Sequence, residues 1–346
     1  MLPELVTEIP GPRSRGLTEE LRAYESRNVT YVSPGFPVFW ERAEGVNVWD
    51  ADGNRFLDLT AAFAVTALGH GPEAVRAAAR EQIDTLYHAM GDVHPSPLKV
   101  ELCRELSRLT FETWTHGAQS GKTILTNSGS EAVEAAIKTA LLATGKPGVL
   151  GFEGAYHGLG FGALAAGGMD YFKTPFIRQV PPIGTLLPFP TEVSNIAPES
   201  YRQRLDETLE RGVAGPDGKA VPIGAIVVEP IQGRGGEVVP TDWFHPMLRE
   251  ATDRHGALLI YDEIYTGFFR TGERFAADHW NVMPDIICLG KALTGGFPLA
   301  ATVGRAHVMD AWPESNGEAL HTSTFLGNPL GCRMALAQLK ALGESD

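Results

Sequence analysis

Lys291 stands at the end of a short apolar run, Asp285-Ile-Ile-Cys-Leu-Gly290, and is followed within a few residues by Gly295-Gly296-Phe297-Pro298. A lysine amine attacks a carbonyl only when neutral, so its pKa must fall from about 10.4 towards neutrality. A drop of ~3 pH units corresponds to roughly 4 kcal/mol, which burial alone can supply. A lone lysine is far more often solvated, so its partners decide the matter. Carboxylates stand in two equivalent places. Glu229 follows Gly224–Val228 and precedes Pro230, and Asp262 with Glu263 closes Leu258–Tyr261. A carboxylate ending a buried strand is costly unless it meets a positive charge. Gly154-Ala155-Tyr156-His157-Gly158 offers an aromatic ring able to stack on a flat molecule and an imidazole beside it. In Asn127-Ser128-Gly129-Ser130-Glu131, Ser128 and Glu131 fit a capping box. Gly129 and Ser130 would then present free N–H groups at a helix start, a place that binds anions.

The elements that must carry these residues are short and apolar. Candidate strands at Thr123–Thr126, Gly148–Phe152, Gly224–Glu229, Leu258–Asp262 and Asp285–Leu289 alternate with helical patterns, the signature of a doubly wound parallel sheet. Ligands of such sheets bind beyond the carboxyl ends of the strands, where every residue named above falls. Helices are expected near Thr18–Arg27, from Pro72 (in the first turn) to Leu86, from Pro97 to Leu109, and from Cys332 to Leu342. Val46 to Leu59 reads as two strands around a turn at Asp52-Gly53, residues 1 to about 35 as an arm, and Gly167 to Pro190 as an extended excursion.

With 346 residues, 43% of them hydrophobic, the chain can bury a large core. A formal net charge of -13 argues against nucleic acid or an anionic membrane as partner. No apolar stretch is long enough to span a bilayer, and the first residues lack the pattern of a signal peptide. Cys103, Cys288 and Cys332 are few, scattered and odd in number, which suits a reducing cytoplasm. Gly117–Thr123 is one residue short of a P-loop and precedes a strand where that motif should follow one. Gly158-Leu159-Gly160 lacks the acidic residue a dinucleotide turn needs, and no metal-ligand spacing occurs.

Taken together, an imine-forming lysine, a carboxylate for a pyridinium nitrogen, a ring stacker and a phosphate cup are the requirements of pyridoxal phosphate. The chain resembles the class III (subgroup II) pyridoxal-phosphate-dependent aminotransferases of fold type I. The resemblance rests on Val48–Gly53, Gly69-His70, Asn127–Ala132, Tyr156-His157-Gly158, Glu229-Pro230, Asp262-Glu263-Ile264, Arg270-Thr271-Gly272, Gly290-Lys291 and Thr324–Pro329, and covers residue 36 onward. It implies an α/β fold with a mostly parallel, seven-stranded-type sheet and helices on both faces. The expected divisions are an N-terminal arm and small-lobe segment (1–65), a large cofactor-binding domain (66–315), and the end of that domain with the start of a truncated C-terminal lobe (316–346). By resemblance, Lys291 forms the Schiff base and Asp262 pairs with the ring nitrogen. Ser128, Gly129 and Ser130 hold the phosphate, Tyr156 and Ile264 cover the two ring faces, and His157 and Tyr265 stand near the cofactor. Glu229 lines the active site, and Thr324 reaches the phosphate of a neighbouring subunit, so a homodimer with shared active sites is implied.

Three positions bear on the substrate. Leu159 follows Tyr-His-Gly where the 4-aminobutyrate and acetylornithine branches typically carry an arginine, and an apolar side chain cannot clamp a carboxylate. That argues against a 4-aminobutyrate-like donor held at this point. Tyr265 occupies a position that is often glutamine, and Phe63 is either a substrate-pocket residue or core packing. The expected activity is transfer of an amino group from a primary amine, ω-amino acid or amino acid to a 2-oxo acid. The alternatives are an aminomutase or racemase on the same scaffold, or a non-catalytic fragment, since relatives continue beyond the point where this sequence stops.

Overall fold

Strands buried on both faces need no polar alternation, and the apolar runs of the sequence become neighbours in one sheet. The computed structural model describes residues 1–215 and 218–344. Its first strands, β1 (Trp40–Glu44), β2 (Asn47–Asp50) and β3 (Arg55–Leu57), form a small antiparallel sheet in that order. The turn at Asp52-Gly53 joins the latter two as expected, while β1 extends the unit beyond the expected hairpin. The N-terminal residues are tied to it: Glu4 bridges Arg55, and the Asn54 side-chain oxygen accepts from the N–H of Val6 (2.8 Å) and Thr7 (3.0 Å).

The main sheet contains β4 (Gly121–Thr126), β5 (Gly148–Phe152), β6 (Gly184–Leu187), β9 (Ile223–Val228), β10 (Leu258–Asp262), β11 (Ile286–Leu289) and β12 (Ala300–Arg305). A two-residue hairpin, β7 (Val213–Ala214) with β8 (Ala220–Val221), lies outside it. The spatial order is β4-β12-β11-β10-β9-β5-β6. Only β12 runs against its neighbours, pairing antiparallel with both β11 and β4. All five expected strands are present to within two residues at either end. The two additions are β12, which starts two residues after Pro298, and β6, inside the run read as an excursion.

Successive residues of each strand enter opposite layers. Leu259 and Tyr261 of β10, with Ile287 and Leu289 of β11, join the larger core beneath helices Pro97–Ser107, Pro198–Arg211, Phe244–His255 and Pro329–Gly343. Ile260, Ile286 and Cys288 face the helix Gly129–Thr144, which contributes Ala132, Val133, Ala136 and Ile137. That helix is nearly all small or aliphatic on its inner face and ends at Gly145, whose left-handed φ of 69° lets its N–H close on the Leu141 carbonyl at 2.8 Å. The helix expected from Pro72 spans Glu73–Thr85, with Pro72 as its N-cap in extended geometry and not in the first turn. The first helix spans Pro12–Tyr24, starting earlier than its apolar pattern suggested because Pro12 is pre-set for a first helical turn.

One close approach fixes how the helix Phe161–Ala166 lies on the sheet. A β-carbon on Gly151, in the middle of β5, would lie 2.1 Å from the Ala166 carbonyl oxygen. The contact is backbone and cannot swing aside. Gly151→Ala is therefore expected to destabilise the protein by about 1–3 kcal/mol, as overpacking does. Urea unfolding, read as a lower midpoint at unchanged slope, checks this.

Candidate active site

Because β4, β5, β9, β10 and β11 share one direction, their carboxyl ends lie along one edge. The register pairs Asp262 with Cys288, so that Lys291 leaves the next strand close beside it. Lys291 opens a short turn, Lys291–Leu293, with φ of 41°, a left-handed conformation that a side-chain-bearing residue adopts only under constraint. Its Nζ lies 5.2 Å from the centroid of the Tyr265 ring. Burial pulls the amine below its ordinary range, the nearby charge of Arg234 pulls the same way, and Asp262 and Glu229 oppose both; the net direction is down.

Asp262 is almost wholly buried. Its Oδ2 is 2.8 Å from His157 Nδ1, and its Oδ1 accepts from the Ile264 N–H at 3.1 Å. Burial lowers the His157 pKa, yet the hydrogen bond and charge of Asp262, aided by Glu229, outweigh it and raise the imidazole overall. His157 Nε2 is buried with no hydrogen-bond partner among the described residues. Glu229, also buried, accepts from the N–H of Tyr156 at 2.9 Å and of Gly233 at 3.1 Å. Loss of water pushes its carboxyl up to about 7. Glu263 turns the other way: fully buried, it accepts from Thr266 and from the N–H of Ala276 (3.0 Å) and Ala277 (2.8 Å), and holds the loop after β10. Burial raises it to about 7 as well.

At the helix start, Ser128 Oγ accepts from Glu131 N at 3.3 Å, but the Glu131 carboxylate goes to the Asn127 N–H at 2.8 Å. Only half of the expected capping box forms. No described residue accepts from the N–H of Gly129 or Ser130. A β-carbon on Gly129 would lie 2.8 Å from Ile264 Cδ1, and one on Gly158, whose φ is +106°, would lie 2.5 Å from Ser130 Cβ. The two glycines thus let Ile264 and the Tyr156–Gly158 loop close over the helix start. Ser130 Oγ accepts from the Gly160 N–H at 2.9 Å, fixing that loop further.

The other expected residues are placed as follows. Tyr156 is half-buried and meets Phe172 edge-on at 5.4 Å. The Tyr265 hydroxyl donates to Glu237 at 3.1 Å. Leu159 is 53% exposed. Phe63 is 81% exposed on a left-handed turn, Ala61–Ala64, that packs beside the Lys291 turn; the core-packing reading is overturned. Thr324 is exposed, and the adjoining Ser323 accepts from Asn127 Nδ2 at 3.0 Å.

Sequence reasoning missed two features. Arg234, exposed, stands 4.8 Å over both the Tyr156 and Phe172 rings, and the only signal for it was a cation in the loop after Glu229. A buried pair ties the two acid-bearing strands together. The Tyr261 hydroxyl meets His245 Nδ1 and His245 Nε2 meets the Pro230 carbonyl, each at 2.9 Å. Burial pushes His245 down to about 4, so the ring is neutral and donates to Pro230 from Nε2.

A lysine, a buried acid clasped by imidazole, a ring on an adjacent loop and an open helix start together define the pyridoxal-phosphate enzymes of fold type I. The aminotransferase class-III profile matches residues 30–346. A 4-aminobutyrate aminotransferase of Mycobacterium leprae (strain TN) is 38% identical over 99% of this chain and 75% of its own length. An (S)-enantioselective ω-transaminase from Thermomicrobium roseum superposes with a TM-score of 0.80 at 31% identity, covering 95% of this chain and 74% of its own. A PLP-bound amine transaminase from an uncultivated Pseudomonas species gives 0.78 at 30% identity, covering 92% and 74%. The chain belongs to the class III aminotransferase family: it is a pyridoxal-phosphate-dependent transaminase working on amines and 2-oxo acids.

The buried acids set a pH dependence. Glu229 and Glu263 have folded pKa values near 7, above the ordinary value of 4.5, so folding takes up protons and stability falls as pH rises through 7. His157, also raised, adds the same sign. His245 acts oppositely, but only below its ordinary 6.5. Between pH 6.5 and 7.5 the unfolding free energy of the cofactor-free protein should decline, and Glu229→Gln should flatten the slope by about 1 kcal/mol per pH unit near pH 6.5, an effect that fades above pH 7. Denaturant titrations at several pH values check it.

Proposed function

We propose that Lys291 is the residue that tethers pyridoxal phosphate, with Asp262 as the partner of its ring nitrogen. The observation that carries this is the adjacency, fixed by strand register, of a buried carboxylate and a lysine whose amine is biased towards neutrality. The residues suit the group: the unengaged N–H groups of Gly129 and Ser130 favour a phosphate, with the Ser128 cap at the same helix start. Ile264 lies between that start and Gly290, beside Lys291, and Tyr156 stands on the loop held by Glu229. When bound, the cofactor supplies an electrophilic carbon and a ring that takes up the electron pair left when the donor carbon loses its proton.

The chain's own residues do the rest. Lys291 Nζ would hold the cofactor covalently and, when free, would serve as the base that takes up and returns the donor carbon's proton. Asp262, oriented by its His157 and Ile264 hydrogen bonds, would pair with the ring nitrogen and favour positive charge there. Glu229, held by two backbone N–H groups, gives the Tyr156 loop its position and adds negative potential beside the amine. The donor is an ω-amino acid or primary amine and the acceptor a 2-oxo acid, a range supported by the 4-aminobutyrate and ω-transaminase relatives.

A homodimer fits the surface. Tyr87, Met90, Val93, Leu320 and Phe325 are exposed, and Phe325 meets His88 at 5.5 Å, which makes one apolar face beside Thr324. A second copy of this chain would cover it and bring Thr324 towards the partner's phosphate. Three free cysteines suit a cytoplasmic location, and among the described residues no helix is long and apolar enough to cross a membrane.

Borohydride reduction followed by peptide mapping is expected to label position 291. Lys291→Ala should abolish covalent attachment and lower the transamination rate by at least ~10²-fold, the low end for a lost acid–base group. A label at any other lysine overturns the assignment. Phe325→Asp should shift the protein from dimer to monomer in sedimentation, and an unchanged mass removes that face from the interface.

A further inference from the structure

Arg234 is a cation with an unusual combination of neighbours. It is exposed, and no described residue pairs with it through an ion pair or hydrogen bond. Glu237, the acid on the same loop, is engaged by the Tyr265 hydroxyl. The guanidinium carbon sits 4.8 Å over the Tyr156 ring and 4.8 Å over the Phe172 ring, so two aromatic faces hold it in place. Such stacking stabilises an arginine and restricts its rotamers while leaving its N–H donors unspent. The backbone adds a second constraint. Gly233 donates its N–H to Glu229 at 3.1 Å, and a β-carbon there would lie 2.7 Å from the Tyr265 ring. That ring lies under the Lys291 amine. Arg234 therefore leaves the residue wedged between Glu229 and Tyr265, and its charge is felt at Lys291.

A solvated surface arginine would not need two aromatic supports or a backbone pinned to an active-site acid. Leu159, the residue after Tyr156-His157-Gly158, supplies no charge. Lys173, half-buried, lines one small cavity with Tyr156 and Phe172 and places an amine on the same rim. Glu229 and Glu237, the acids this loop itself engages, are both hydrogen-bonded already.

We propose that Arg234 is a specificity-determining residue that binds the distal carboxylate of an ω-amino acid donor, or of a dicarboxylic 2-oxo acid acceptor, through its free guanidinium edge. A carboxylate accepts two parallel N–H bonds from such a fork, and the aromatic shelf keeps the fork pre-organised. This rests on the transaminase assignment but not on which lysine carries the cofactor.

The test uses the cofactor-loaded protein and glutarate, an unreactive dicarboxylate, titrated by calorimetry. Wild type is expected to bind it, Arg234→Gln to weaken binding at least ~10-fold, and Arg234→Lys to fall between, since an ammonium keeps the charge without the fork. In parallel, the ratio of kcat/KM for 4-aminobutyrate to that for n-butylamine should drop at least ~10-fold in Arg234→Gln, mostly through KM for the acid. Glutarate binding that is absent in wild type or equal in wild type and Arg234→Gln overturns the proposal, as does an equal loss for both amines. Failure of the Lys291 assignment would appear in the peptide map and leave the glutarate titration readable.

Discussion

The arrangement depends on one buried acid, Asp262. An acid at the end of a central strand, almost fully withdrawn from water, is costly unless its surroundings supply hydrogen-bond partners. Here they do so through the His157 imidazole at 2.8 Å and the Ile264 N–H at 3.1 Å. His157 lies on the loop beyond β5, two strands from β10 in the sheet, so this bond also draws the Tyr156 loop across the carboxyl edge. The cluster is therefore both the electrostatic centre of the site and a clasp on its roof.

A second clasp runs beneath it. His245 joins the Pro230 carbonyl to the Tyr261 hydroxyl, linking the residue after Glu229 to the residue before Asp262. Both acids thus move with one buried, neutral imidazole. A polar group so placed is costly unless every partner is supplied, and here both ring nitrogens are satisfied. The strain at Lys291, whose φ is 41°, is sustained because strands β11 and β12 fix the chain on either side of its loop.

Much of this was legible in the sequence for a physical reason. Parallel strands covered on both faces show as uninterrupted apolar runs, and their ends carry the polar residues, so Lys291, Asp262, Glu229, Tyr156 and Ser128–Ser130 announced themselves by position. β12 did not, because Ala300, Ala301 and Thr302 are small residues following Gly295-Gly296-Phe297-Pro298, a run that reads as a turn. β6 was hidden by Pro181, Pro182 and Gly184 at its entry. The His157–Asp262 bond depends on strand order, which no local pattern contains. Arg234 sits in Gly233-Arg234-Gly235-Gly236, where a charge reads as solvated loop; only the aromatic shelf formed by distant Tyr156 and Phe172 gives it meaning.

The reversed strand β12 has a metrical consequence. Ala300 pairs with Thr126, just before the open helix start, and Ala301 pairs with Leu289, just before the lysine. The two ends of the site are thus separated by two ladder intervals, roughly 10 Å in all. That span is set by backbone hydrogen bonds, so rotamer changes cannot stretch it. Any molecule reaching both ends of the site would have to bridge that fixed distance.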